Sequence, residues 1–198
     1  MLWLCLHLPD LALDVCTRGA PESGPVAVST GSGRAQRILA ANAAARSHGV
    51  QAGMALNAAQ ACVAMLRVTA HDAQAEREAL ARLAAWAGQY TPVVSLAPPQ
   101  ALLLEVAGSR RLFGGDSNLR EQVRQGLAEL GFTARSALAP TPLAALWLAR
   151  AGGEARVTRT AQLAAALAPL PLAALEPDAR QGALLAAMGL GRLGDCLR

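Results

Sequence analysis

The chain has 198 residues, 53% apolar and only 3% aromatic, with eighteen basic residues, all arginine, and a net charge of +4. That length supports a sizeable core, and the thin positive charge permits a nucleic-acid partner without requiring one. No run approaches the ~20 apolar residues of a membrane helix, and Cys5, Cys16, Cys62 and Cys196 form no C-x-x-C pair and keep no zinc-ligand spacing with His7, His48 or His71.

Leu2 to Leu8 predicts a strand buried on both faces, and His7, Pro9 and Asp10 mark this apolar start as a strand rather than a signal peptide. Asp10 to Cys16 begins a short helix, and Thr17 to Gly24 is a Gly/Pro-rich loop. Pro25 to Ser29 is a second strand, with Gly31-Ser32-Gly33 as a turn and Arg34 to Ala40 as its antiparallel return. Asn42 to Ser47 is an Ala-rich helix closed by His48-Gly49. Asn57 caps a helix to Val63, and Met65 to Thr69 is a strand.

His71-Asp72 starts a long helix to Gln89, with Leu80, Leu83 and Ala87 inward and Glu76, Arg77, Glu78 and Arg82 on the wet face. Two strands joined at Pro98-Pro99 follow. Asp116 or Ser117 caps the next helix, whose inner face is Leu119, Val123, Leu127 and Leu130 and which Gly131 stops. Phe132 to Leu138 is a strand, Pro140 opens an apolar helix to Arg150, Val157 is a strand centre, and Ala161 to Leu167 is a short helix. Beyond Leu170-Pro171-Leu172, short helices surround Met188-Gly189-Leu190-Gly191. The chain ends at Leu197-Arg198 inside a predicted helix, the pattern of a fragment of a longer protein. Setting aside residues 17–70 leaves the order β-α-β-β-α-β, an α/β (α+β) chain with a ferredoxin-like split-βαβ core and an antiparallel sheet.

Four stretches carry a resemblance to the Y-family translesion DNA polymerases, spread over essentially the whole chain. Ala41-Asn42-Ala43-Ala44-Ala45-Arg46, with His48-Gly49-Val50 and Gly53-Met54, resembles the finger segment A-S-Y-E-A-R-x-F-G-V-x-x-G-M. Tyr90-Thr91-Pro92-Val93 through Val106-Ala107-Gly108-Ser109, then Arg111-Leu112-Phe113-Gly114, resembles Y-S-P…S-I-D-E-A-F-L-D-V-T-G-S…R-L-F-G. Ala137-Leu138-Ala139-Pro140 resembles G-I-A-P-N-K, and Gly189-Leu190 with Leu193-Gly194-Asp195 resembles the thumb's helix-hairpin-helix, L-G-I-x-T-V-G-D-L. The resemblance implies a palm over residues 1–16 and 71–168, a fingers insertion over 17–70 and a truncated helix-hairpin-helix thumb over 169–198.

The departures from the family pattern fall on its chemistry. Two-metal phosphoryl transfer needs carboxylates converging on two cations. The D-M-D positions of strand one are Cys5-Leu6-His7, and the adjacent D-E is Gln100-Ala101. The finger tyrosine position is Ala43 and the lysine of N-K is Pro142; Arg46 alone remains as a nucleotide-binding remnant, and Glu105 stands at the structural acid. Cys5 and His7 share a face at i, i+2, a spacing read as packing rather than a metal pair. Asp10 lies past Pro9, outside the strand, and with Asp14 is the alternative source of displaced acids.

The resemblance therefore implies a pseudo-polymerase without metal or cofactor. It would be an adaptor of a damage-inducible mutagenesis complex, cytoplasmic and nucleoid-associated. Its implied partners are an ImuA-like, RecA-related accessory protein, an error-prone C-family DNA polymerase, and the sliding clamp through a region beyond residue 198. The alternative is an active, divergent translesion polymerase with displaced acids. DNA contacts would come from Arg34, Arg37, Arg67, Arg110, Arg111, Gly189 and Gly191. Glu176-Pro177-Asp178-Ala179, replacing the first G-x-G of the thumb, implies that such contact is weak. Trp86 and Trp147 are read as core or partner contacts.

Overall fold

A computed structural model describes residues 1–18 and 24–197; residues 19–23, within the predicted Thr17–Gly24 loop, and Arg198 lie outside the described residues. Among these, the strands in chain order are β1 (Trp3–His7), β2 (Val26–Thr30), β3 (Arg37–Ala41), β4 (Arg67–Ala70), β5 (Val94–Ala97), β6 (Ala101–Glu105) and β7 (Arg135–Ala139). The α-helices are α1 (Leu11–Thr17), α2 (Ala43–Ser47), α3 (Leu56–Cys62), α4 (Ala73–Ala87), α5 (Asp116–Glu129), α6 (Pro142–Arg150), α7 (Leu163–Leu167) and α8 (Ala179–Ala187). They fall into two compact units, one of residues 1–9, 80–126 and 134–198, the other of residues 10–79 and 127–133.

The first unit holds an antiparallel sheet in the order β5-β6-β1-β7. This is the predicted βαββαβ arrangement, with the first strand at the centre. Because β1 pairs on both sides, its alternation sorts the sheet into two faces. Cys5 lies level with Leu103 and Ala137, and this face packs under α6 through Ala144, Ala145, Leu148 and Ala149. Small residues let α6 lie close over β1 and β7. The other face, Leu4, Leu6, Leu102, Leu104 and Leu138, is as deeply buried; α4 and α5 supply matching buried stripes in Leu80, Leu83 and Ala87 and in Leu119 and Val123. The second unit holds a smaller sheet, β3-β2-β4, with β2 antiparallel to β3 and parallel to β4.

Several local expectations are corrected. Thr141, not Pro140, begins α6: its hydroxyl accepts the Ala144 N–H, and Pro142 takes the first helical position, where no N–H is needed. Asn57 does not cap α3; it lies inside the helix, with Ala55 at the cap. Glu76 is not on a wet face: it is 8% exposed and pairs with His71 at 2.7 Å, while Asp72 caps α4 through the amides of Gln74 and Ala75. Asp116 opens α5, but its carboxylate turns to two arginines instead of its own helix. Val157 belongs to no strand; Arg156 makes one bridge to Leu138, and Val157 fills the cluster under α6. A 3₁₀ turn at Gly33–Ala35 delays β3, Arg135 rather than Phe132 begins β7, and Met65, outside β4, is 85% exposed. Leu130, expected on the inner face, follows the end of α5 and is 37% exposed.

α4 and α5 approach closely where Gly126 faces Trp86: a Cβ there would lie 2.5 Å from the indole, whose ring is held edge-on by Tyr90. Gly126→Ala is expected to destabilise the chain by about 1–3 kcal/mol through overpacking, outweighing the helix propensity gained. A lower Tm in a thermal melt checks this.

Candidate functional site

The candidate centre is the end of the first sheet where β1 stops and β6 and β7 begin. Leu8 donates its N–H to the Gln100 carbonyl at 2.8 Å, which fixes the turn carrying Gln100 beside β1. His7 pairs in register with Ala101 on one side and Arg135 on the other. All three therefore share the face of Cys5, the face that α6 covers. The structure thus brings together the positions that the sequence marked as degenerate.

What fills this place is apolar and cationic. Cys5 is fully buried, and burial pushes its thiol up to about 12, although the Arg150 guanidinium pulls the other way. His7 is 7% exposed; burial first, then the positive charges of Arg150 and Arg135, lower its pKa to about 4, so the imidazole is neutral at pH 7. Arg150, the last residue of α6, has a side chain only 12% exposed and pairs with Glu176 at 2.6 Å. Glu176 holds a left-handed backbone with φ of 51°. Two buried atoms here, His7 Nδ1 and Arg150 Nε, have no hydrogen-bond partner. A protonated thiol, a neutral imidazole, an amide, a methyl and two guanidiniums do not fit a pair of magnesium ions, which require several anionic oxygens. Sequence reasoning missed Arg150 because nothing in the spacing of a C-terminal helix arginine aims it at a strand 140 residues earlier in the chain.

The second unit carries a different cavity. Asn42 caps α2 by accepting the Ala45 N–H and also accepts the Val26 N–H, while Arg46 donates to the Ala41 carbonyl. Asp10, Asp14, Asn42, Arg46 and Thr133 line a pocket of about 350 Å³. Asp14 accepts the Thr133 N–H at 2.9 Å.

The remaining candidates are dispersed. Arg34 lines a pocket of about 400 Å³ with Gln36 and Asn57. Arg37 and Arg67 are exposed on β3 and β4, opposite edges of the small sheet. Arg110 and Arg111 line a pocket with Arg156, which the sequence did not single out. At Gly189 to Arg192 the backbone amides are occupied: Gly189 donates to Ala186, Leu190 to Leu185, and both Gly191 and Arg192 to the Asp195 carboxylate, at 3.1 and 2.8 Å. Asp178, from the acidic replacement, caps α8 in a reciprocal pair with Gln181. Trp86 packs edge-on against Tyr90, and Trp147 lines an apolar groove with Leu143 and Leu185.

This sheet order, with helices on both faces and a small αβ unit inserted after the first strand, is the fold expected of the Y-family type of polymerase. The sequence pattern of the impB/mucB/samB family matches residues 14–150, and the chain belongs to that family. Protein ImuB of Caulobacter vibrioides, in two strains, is 35% identical over 127 residues, 64% of this chain and 28% of the relative; the chain thus spans little more than a quarter of the curated relatives it matches. Among solved structures, DinB from Sulfolobus solfataricus aligns over 100% of this chain and 60% of its own, with TM-score 0.74 and 20% identity. An insertion ternary complex of Dbh DNA polymerase aligns over the same shares with TM-score 0.75. At such identity the likeness is one of fold.

Because the folded pKa of His7 lies near 4 against 6.5 for the free side chain, the unfolded chain takes up a proton that the folded chain refuses. This group's effect is therefore flat above about pH 6.5 and destabilises progressively as pH falls towards 4, by on the order of 2 kcal/mol. His7→Leu is expected to shrink the difference in urea midpoint between pH 7 and pH 5. An unchanged difference would show that His7 does not carry it.

Proposed function

We propose that this chain is a non-catalytic, Y-family polymerase-like adaptor of a damage-inducible translesion synthesis complex. The observation that carries the reading is the inverted chemistry at the end of β1. Where the family pattern has carboxylates, His7 faces the methyl of Ala101, and the Arg150 guanidinium acts on both Cys5 and His7. A cation fixed there opposes divalent metal binding, and no carboxylate stands at positions 100 and 101. The palm, fingers and thumb divisions at residues 1–16 with 71–168, 17–70 and 169–198 belong to this reading.

As an adaptor, the chain would bring an error-prone C-family polymerase and an ImuA-like, RecA-related protein to damaged DNA in the cytoplasm. Clamp contact would be made outside these residues. Among the described residues no helix is long and apolar enough to cross a membrane. DNA contact through Arg34, Arg37 and Arg67 would be electrostatic and salt-sensitive, with little help from Gly189 and Gly191, whose amides are already bonded.

A second reading has one observation in its favour. Asp10, Asp14 and Arg46 line one pocket, so displaced acids beside the nucleotide-binding remnant would make a divergent polymerase. Primer extension with Mg²⁺ or Mn²⁺ decides between the two. No incorporation is expected; incorporation abolished by Asp10→Asn or Asp14→Asn would overturn the adaptor.

Gln100→Asp with Ala101→Glu is expected to restore no extension and to destabilise the chain by about 1–3 kcal/mol. Ala101 is 1% exposed beneath α6, and a glutamate there must displace its neighbours. A double variant that folds as stably as the parent and extends a primer would sink the proposal.

A further inference from the structure

A second charged cavity lies in the first unit, at the end of the sheet away from His7. Trp3 at the start of β1 pairs with Glu105 and Ala139, the last residues of β6 and β7. Just beyond them, Arg110 donates its N–H to the Val106 carbonyl, and Arg156 bridges to Leu138. Arg110, Arg111, Gly114, Gly115, Asp116 and Arg156 line a pocket of about 410 Å³.

Its charges do not cancel. The Asp116 carboxylate is 5% exposed; it accepts two bonds from Arg156, at 2.7 and 2.9 Å, and one from Arg110 at 3.4 Å. One buried anion therefore holds two guanidiniums in place, and with Arg111 the pocket carries three positive charges against one negative. Each guanidinium has five N–H groups in a planar fork, so those not used on Asp116 remain to face a ligand. The side chains of Arg110 and Arg156 are 38% and 55% exposed. Fixing the arginines beforehand lowers the entropy that a ligand would otherwise have to overcome. Gly114 and Gly115 take φ of 76° and 100°; a Cβ at Gly115 would meet nothing within 4 Å, whereas one at Gly114 would meet Asn118 at 3.0 Å.

A guanidinium fork accepts a carboxylate or a phosphate equally well. Leu112 separates the two. It follows Arg111 directly and is 83% exposed. A phosphodiester backbone offers little to cover an apolar side chain, whereas a polypeptide can present an acid and an apolar residue side by side.

We propose that this pocket docks an acidic segment of a partner protein, with carboxylates on Arg110, Arg111 and Arg156 and a neighbouring apolar side chain on Leu112. The site gives the adaptor reading its partner chemistry and rests on that reading for the existence of a partner; the binding itself is measured without reference to polymerase activity.

The test is fluorescence anisotropy on the 198-residue chain with three labelled probes: an alternating Glu-Leu peptide, an alternating Glu-Ser peptide, and an oligothymidylate of equal charge. The Glu-Leu peptide is expected to bind most tightly. Arg111→Glu should weaken it at least ~tenfold, and Leu112→Ser should reduce it to the level of the Glu-Ser peptide. Both residues are exposed, so an unchanged Tm is expected to accompany these losses. Absence of peptide binding, an affinity indifferent to Arg111→Glu, or oligothymidylate binding as tight as Glu-Leu and equally sensitive to Arg111→Glu would each overturn the proposal. Each of these results leaves the primer-extension test of the adaptor reading untouched.

Discussion

β1 is hydrogen-bonded along both edges, and that double pairing is the constraint on which the first unit depends. With β6 on one side and β7 on the other, no residue of β1 can slip register without moving its whole hydrophobic set to the wrong face. The same registry lines up His7, Ala101 and Arg135 at one end and Trp3, Glu105 and Ala139 at the other. Each end of the sheet thus becomes a place where side chains distant in sequence must meet.

The two ends show opposite treatments of buried charge. At the His7 end, an active two-metal site would hold carboxylates whose mutual repulsion only bound cations relieve. This chain holds a thiol, an imidazole and a methyl there, and α6 lays small residues over them. Of the two guanidiniums that act on His7, Arg150 is tied to Glu176. At the far end a carboxylate is buried instead, and Asp116 is compensated twice over by arginines. Burying an acid with its partners fixed leaves a surplus of oriented donors at the surface, whereas the end without acids packs as a core beneath α6.

The C-terminal segment also uses its charges within the fold. Its acidic stretch is used within the fold, Glu176 by Arg150 and Asp178 as the cap of α8, and the Asp195 carboxylate accepts the Gly191 and Arg192 N–H groups. In this segment the clustered amides from Gly189 to Arg192 are satisfied internally.

The sequence by itself determined the strand and helix order, because alternation, Ala/Leu periodicity and glycine stops are local signals. It marked Cys5, His7, Gln100 and Ala101, which sit within recognisable motifs and which the fold brings to one end of the sheet. It misjudged Glu76, Asn57 and Asp116, whose side chains chose between a local cap and a distant partner. That choice depends on which residues the fold brings near, and spacing does not encode it. Arg150 over Cys5 and His7, and Arg156 beside Arg110, came only from tertiary structure. Long, flexible arginine side chains acquire their roles from the register of β1 and the packing of α6, which join residues more than a hundred positions apart in one case and some forty in the other.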